Sequence, residues 1–222
     1  MRAEHERRFK LIVFDWDGTL ADSTGIISHA IREALRDMGE PVPDEEAARY
    51  VIGLGLADAL RTVAPALPAA RHSELVAHYR THYLAAEQDI PMFAGAVDLL
   101  DELDRAGYFL GVATGKSRMG LDRVLTKNGL ARRFHATRCA DEGQPKPHPE
   151  MLLHLIDRLG VERTETLMIG DTTHDLLLAR NAGVPAVAVT YGAHAREPLA
   201  RLAPVGTAHS MAELAQWLRS NG

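Results

Sequence analysis

Apolar residues fall along this chain in two rhythms. Short continuous runs have the length and branching of strands buried on both faces: Lys10-Leu11-Ile12-Val13-Phe14, Tyr108-Phe109-Leu110-Gly111-Val112-Ala113, Thr166-Leu167-Met168-Ile169 and Pro185-Ala186-Val187-Ala188-Val189. Between the later runs, apolar positions recur at helical spacing over roughly 95–106, 118–128, 149–159 and 174–182. Gly107, Gly129, Gly160 and Gly183 each stand where a helix would close on a left-handed residue. Strands alternating with helices of this length predict βαβ units with right-handed crossovers. The fold class expected is therefore α/β: a Rossmann-like, doubly wound, mainly parallel sheet.

The stretch 22–89 breaks that rhythm. It reads as helix almost throughout, with Ile27, Ile31, Ala34, Leu35 and Met38 marking one apolar face. Gly39, Pro41, Pro43, Pro65 and Pro68 divide it into about four short helices. An all-helical block after the first strand predicts an inserted, smaller domain at 22–89, with the core formed by 1–21 and 90–222. The crossings would lie near 21–24 and 90–92. Neither internal repeats nor low-complexity segments interrupt this plan.

Composition changes the picture mainly by exclusion. With 222 residues, 46% hydrophobic and 25% charged, the chain is an ordinary globular one. A net charge of -5 gives no electrostatic reason to expect nucleic acid or an anionic membrane as partner. No apolar run approaches the ~18 residues that would span a bilayer. The charged start, Met1 to Lys10, lacks the apolar stretch of a secretory signal, so a cytoplasmic protein, monomeric or homodimeric, is expected. Its single cysteine, Cys139, excludes an internal disulfide and a cysteine-based zinc cluster.

Candidate chemistry gathers where the apolar runs end. In a parallel α/β sheet, ligands bind beyond the carboxyl ends of the strands. There the chain places Asp15-Trp16-Asp17-Gly18-Thr19, Thr114-Gly115-Lys116-Ser117, the loop residue Lys146, and Gly170-Asp171-Thr172-Thr173-His174-Asp175. Such groups suit phosphoryl transfer. A carboxylate cannot approach a dianionic phosphate monoester unless positive charge intervenes. Oxygen ligands from Asp15, Asp17 and Asp171 could hold a divalent cation, and Lys146 would add charge. The Thr114 hydroxyl and the Gly115 amide could donate to phosphate oxygens. Asp17, two positions beyond Asp15, could face the leaving oxygen as general acid and base.

These ordered motifs, with Lys146-Pro147-His148-Pro149 completing the set, resemble those of the haloacid dehalogenase superfamily, and most of all its phosphoglycolate phosphatase-like branch. The likeness covers essentially the whole chain, because the helical block sits where that family carries an α-helical cap. It implies a Mg²⁺-dependent phosphatase acting on a small phosphorylated metabolite, phosphoglycolate or a similar monoester, through a phospho-aspartate. Asp15 would be nucleophile and metal ligand. Asp17 would be the acid/base and bind metal through its backbone carbonyl. Thr114 and Lys146 would hold phosphate, Asp171 would complete the metal site, and Asp175 would be an outer carboxylate. Trp16 stands where the family often has Phe.

Other readings are weaker. The segment Gly111 to Ser117 is one residue short of a P-loop. Gly53-Leu54-Gly55 follows a helix and lacks the third glycine of a dinucleotide site. His78 and His82 have the i,i+4 spacing of a zinc pair, but Tyr79 replaces the glutamate of a metalloprotease. A dehalogenase does not use a second aspartate as proton donor, and phosphonate cleavage needs a cap lysine that 22–93 lacks. A sugar-phosphate mutase or a pyrophosphatase would share the motifs. So would a non-catalytic metabolite-binding module, although retirement from catalysis normally costs the nucleophile or the lysine, and both are present. Arg32, Arg49, Arg61 and Arg71 are the cationic residues of the helical block that could meet a substrate carboxylate.

Overall fold

A computed structural model describes residues 8–222; the charged segment 1–7 lies outside the described residues. Six parallel strands are present among them: β1 Leu11–Phe14, β2 Phe109–Thr114, β3 Ala136–Cys139, β4 Thr166–Gly170, β5 Ala186–Val189 and β6 Gly206–Ala208. Their order across the sheet is β3-β2-β1-β4-β5-β6, so the winding reverses between β1 and β4. Phe14 pairs with Val112 on one side and Ile169 on the other, which makes β1 the central strand. The residue after Phe14 therefore enters the crevice at the reversal, where open α/β sheets bind ligands.

Strand alternation divides the sheet into two apolar faces. Ile12, Phe14, Leu110, Val112 and Ile169 join one core, whereas Leu11, Val13, Met168, Ala186 and Ala188 join the other. The expected strands form, and two more appear. In β3 the middle residues Thr137 and Arg138 are half-exposed, and β6 is a three-residue edge strand. Neither carries an apolar run.

Helices α5 Ala96–Arg105, α6 Arg118–Lys127, α7 Glu150–Leu159 and α8 Thr173–Ala182 fall on the predicted segments, followed by α9 Arg196–Ala200 and α10 Met211–Asn221. All four predicted closing glycines have positive φ, between 65° and 82°. Between β1 and α5 lie α1 Thr24–Asp37, α2 Glu45–Tyr50, α3 Leu56–Val63 and α4 His72–Ala86. Their apolar side chains, among them Ile31, Leu35, Leu60 and Leu75, share one core with the Phe14 face of the sheet. The chain leaves and re-enters the sheet side by side: the Asp22 amide donates to the Pro91 carbonyl at 3.0 Å, and the Phe93 amide to the Leu20 carbonyl at 2.9 Å. No helix among the described residues is long and apolar enough to cross a membrane.

Candidate active site

Asp15, directly after the central strand, is fully buried. Its Oδ1 accepts from the Lys146 ammonium at 2.8 Å, and the same ammonium donates to Asp175 Oδ1 at 2.5 Å. Lys146 comes from the loop between β3 and α7, and its side chain is wholly enclosed. Burial alone would drive its ammonium toward neutrality, but Asp15 and Asp175 outweigh that and hold it protonated.

Two further carboxylates approach Asp15 from the end of β4. Asp171 accepts from the Thr19 hydroxyl at 2.7 Å and from the Ala193 amide at 2.7 Å. Glycines make this possible: a Cβ at Gly18 or at Gly192 would overlap the Asp171 carboxylate. Asp175 closes a capping box at the start of α8, its Oδ2 accepting from the Thr172 amide at 3.0 Å and hydroxyl at 2.6 Å. The cap residue is thus Thr172, and Asp175 turns inward. Ligand atoms of Asp15, Asp171 and Asp175 all lie within 4.8 Å of one another.

This trio is electrostatically incomplete. Burial raises the Asp15 pKa well above the ordinary carboxylate value; Lys146 opposes the rise, while Asp175 and Asp171 reinforce it. Burial, followed by Asp175, pushes Asp171 up to about 7. Asp15 Oδ2 is buried without a hydrogen-bond partner, an arrangement that ordinarily costs free energy. Oxygen-only donors, crowded negative charge and an orphaned carboxylate oxygen together fit a hard divalent cation such as Mg²⁺.

Asp17 faces elsewhere. Its carboxylate accepts from the Ser23 hydroxyl at 2.7 Å and from the Lys116 ammonium at 3.0 Å to each oxygen. Lys116 also donates to the Tyr83 hydroxyl of α4 at 2.8 Å. Thr114 ends β2 fully buried, and its hydroxyl oxygen accepts from the Lys116 amide at 3.2 Å. Gly115 lies against the turn between α2 and α3: a Cβ there would stand 2.7 Å from the Gly53 carbonyl oxygen. Asp15, Lys146, Asp171 and Asp175 thus stand together, whereas Asp17 is engaged by Ser23 and Lys116.

A second set of contacts had no signal in the pattern. The Thr173 amide donates to His194 Nδ1 at 3.0 Å, so His194 carries its hydrogen on Nε2, which points to the Tyr50 carbonyl at 2.9 Å. His174 Nε2 meets the same carbonyl at 2.8 Å. Burial lowers the pKa of both imidazoles. Arg49 donates to the carbonyl of Gly192 at 3.0 Å. The end of α2 is therefore fastened to the loop whose Ala193 amide holds Asp171. The remaining candidates sit apart: His78 and His82 converge on Asp37, at 3.3 and 2.7 Å.

The family model described as "Haloacid dehalogenase-like hydrolase" matches residues 12–189. The "Probable phosphatase IndB" of Dickeya dadantii is 38% identical over 220 residues, covering 92% of this chain and 95% of that protein. A phosphoglycolate phosphatase of Rhodospirillum rubrum is 34% identical, covering 94% of this chain and 90% of its own. Among solved structures, one titled a predicted phosphoglycolate phosphatase from Haemophilus somnus superposes with a TM-score of 0.84 at 26% identity, over 96% of this chain and 99% of that one.

Proposed function

Because this chain belongs to the haloacid dehalogenase-like hydrolase family, we propose that it is a Mg²⁺-dependent phosphatase that frees phosphate from a small phosphorylated metabolite through a phosphorylated Asp15. The observation that carries the reading is the pairing of an orphaned Asp15 oxygen with Lys146 on its other oxygen, inside a buried carboxylate trio. Its substrate would be a small phosphate monoester; several relatives carry the name phosphoglycolate phosphatase.

Asp15 Oδ2 attacks phosphorus while the Lys146 ammonium, the Thr114 hydroxyl and the Gly115 amide hold phosphate oxygens. Asp17 gives its proton to the departing alkoxide. Its carboxylate then takes a proton from the water that attacks the acyl phosphate, and Asp15 is regenerated. A Mg²⁺ held by Asp15 and Asp171, with the Asp17 carbonyl and Asp175 as further oxygen donors, would offset the negative charge that otherwise keeps carboxylate and phosphate apart. Helices α1–α4 act as a cap that excludes bulk water from this chemistry.

Release of inorganic phosphate from a panel of phosphorylated metabolites, with Mg²⁺ and with chelator, tests the reading. Metal-dependent release is expected for at least one monoester. An isomerised sugar phosphate without free phosphate would indicate a mutase, and no turnover of any member would defeat the proposal.

Two further outcomes are expected. Asp171 holds a proton in the metal-free fold up to about 7, against an ordinary value of 3.8. Between those values the folded state binds more protons than the unfolded one, so metal-free stability falls as pH rises through that window. Mg²⁺ should therefore raise the melting temperature more at pH 7.5 than at pH 5, which thermal unfolding with and without the ion would show. Gly115→Ala forces its Cβ onto the Gly53 and Leu54 carbonyls, which are backbone and cannot rotate away. A shift of that turn should lower kcat/KM by about 10-fold or more, measured by steady-state kinetics on the best substrate.

A further inference from the structure

A cavity of about 480 Å³ lies between the sheet and helices α1–α4. On the sheet side it reaches Asp17, Gly115 and Lys116, while Asp15, Thr114 and Lys146 do not line it. It therefore begins at the proposed proton donor and the Gly115 amide, and extends away from Asp15, Thr114 and Lys146. Whatever departs with the proton from Asp17 must occupy this space. Apolar residues predominate in its walls, among them Ile31, Val51, Leu54, Leu56 and Val76, with Asp58, Ser117 and Asp141 as further polar lining. Tyr79 and Tyr83 add a flat side, their rings stacked at 5.7 Å and 13°. Leu84 and Met119, two large apolar residues that also line it, are 45% and 66% exposed.

Two of the three cations in these walls are already engaged. Lys116 is held by Asp17 and Tyr83, and Arg123 by both oxygens of Glu87 at 2.7 and 3.0 Å. Arg80, the other basic residue lining the cavity, is exposed to solvent. Arg32, Arg49, Arg61 and Arg71 do not line it and have protein partners of their own. A compact, charged leaving group such as glycolate would lose hydration here and find no uncommitted buried cation among the described residues.

Resting on the phosphatase reading, we propose that the preferred substrate is a phosphate monoester whose leaving group is a predominantly apolar body, larger than a two-carbon acid. Burial against Val76, Leu56 and the tyrosine pair supplies its recognition, and Asp17 protonates its ester oxygen at the cavity's inner end. The series of straight-chain alkyl phosphates from ethyl to hexyl tests this, because their leaving alkoxides are nearly equal in basicity and differ in apolar surface. In wild-type enzyme, kcat/KM should climb about two- to fourfold per methylene, and the hexyl-to-ethyl ratio should collapse toward unity in Val76→Asp and Leu56→Asp. A flat or falling wild-type series would overturn the proposal, as would an undiminished ratio in both variants. If phosphoglycolate is hydrolysed and the alkyl series is not, this inference falls and the phosphatase reading stands. Should no ester release phosphate, both fall together.

Discussion

Asp15→Asn should abolish turnover, lowering kcat by at least about 10⁴-fold, while the protein stays folded. Losses of that order follow when a covalent nucleophile is removed and only binding and electrostatic groups remain. The fold should tolerate the change because Asp15 is a costly residue in the metal-free state. Its charge is buried among two other carboxylates, and burial pushes its pKa far upward. An amide keeps the shape and relieves that repulsion, while Lys146 retains Asp175. Melting temperature in metal-free buffer should equal or exceed that of wild type. A folded variant that retains turnover would show that Asp15 is not the nucleophile.

Lys146→Met should behave in the opposite way, losing both activity and stability. Its ammonium is the link between Asp15 and Asp175, and the side chain has no solvent exposure. Taking away one partner of a buried ion pair leaves uncompensated charge and typically costs about 3–5 kcal/mol. For a chain of this size, that lowers the melting temperature by on the order of 10 °C. Mg²⁺ should recover part of the lost stability by offsetting the same carboxylates, but not the activity. Chemical denaturation, with and without Mg²⁺, separates these effects.

These two residues also show how far the pattern alone reached. Asp15 and Asp171 each follow an apolar strand, so their convergence was legible from periodicity. β3 and β6 were not, because edge strands with Thr137, Arg138 or Gly206 bury too little on either face to leave an apolar run. The resemblance gives Asp175 an outer place, and its carboxylate pairs with Lys146 beside Asp15 and Asp171 because the capping box with Thr172 turns it inward. Most opaque were contacts set by how α1–α4 lie over the crevice. The Tyr50 carbonyl meets two imidazoles 124 and 144 residues away, and Lys116 reaches Asp17 across 99 positions. His194 belongs to no motif, and its only signal is the tertiary packing itself.

Quenching the enzyme in acid during turnover with Mg²⁺, then mapping the modification by tandem mass spectrometry, addresses the central claim most directly. The tryptic peptide covering 11–32 should carry one phosphoryl group on Asp15, and the label should disappear in Asp15→Asn. A phosphoryl group on His174, His194 or any other side chain, or rapid phosphate release with no covalent species at all, would contradict the account.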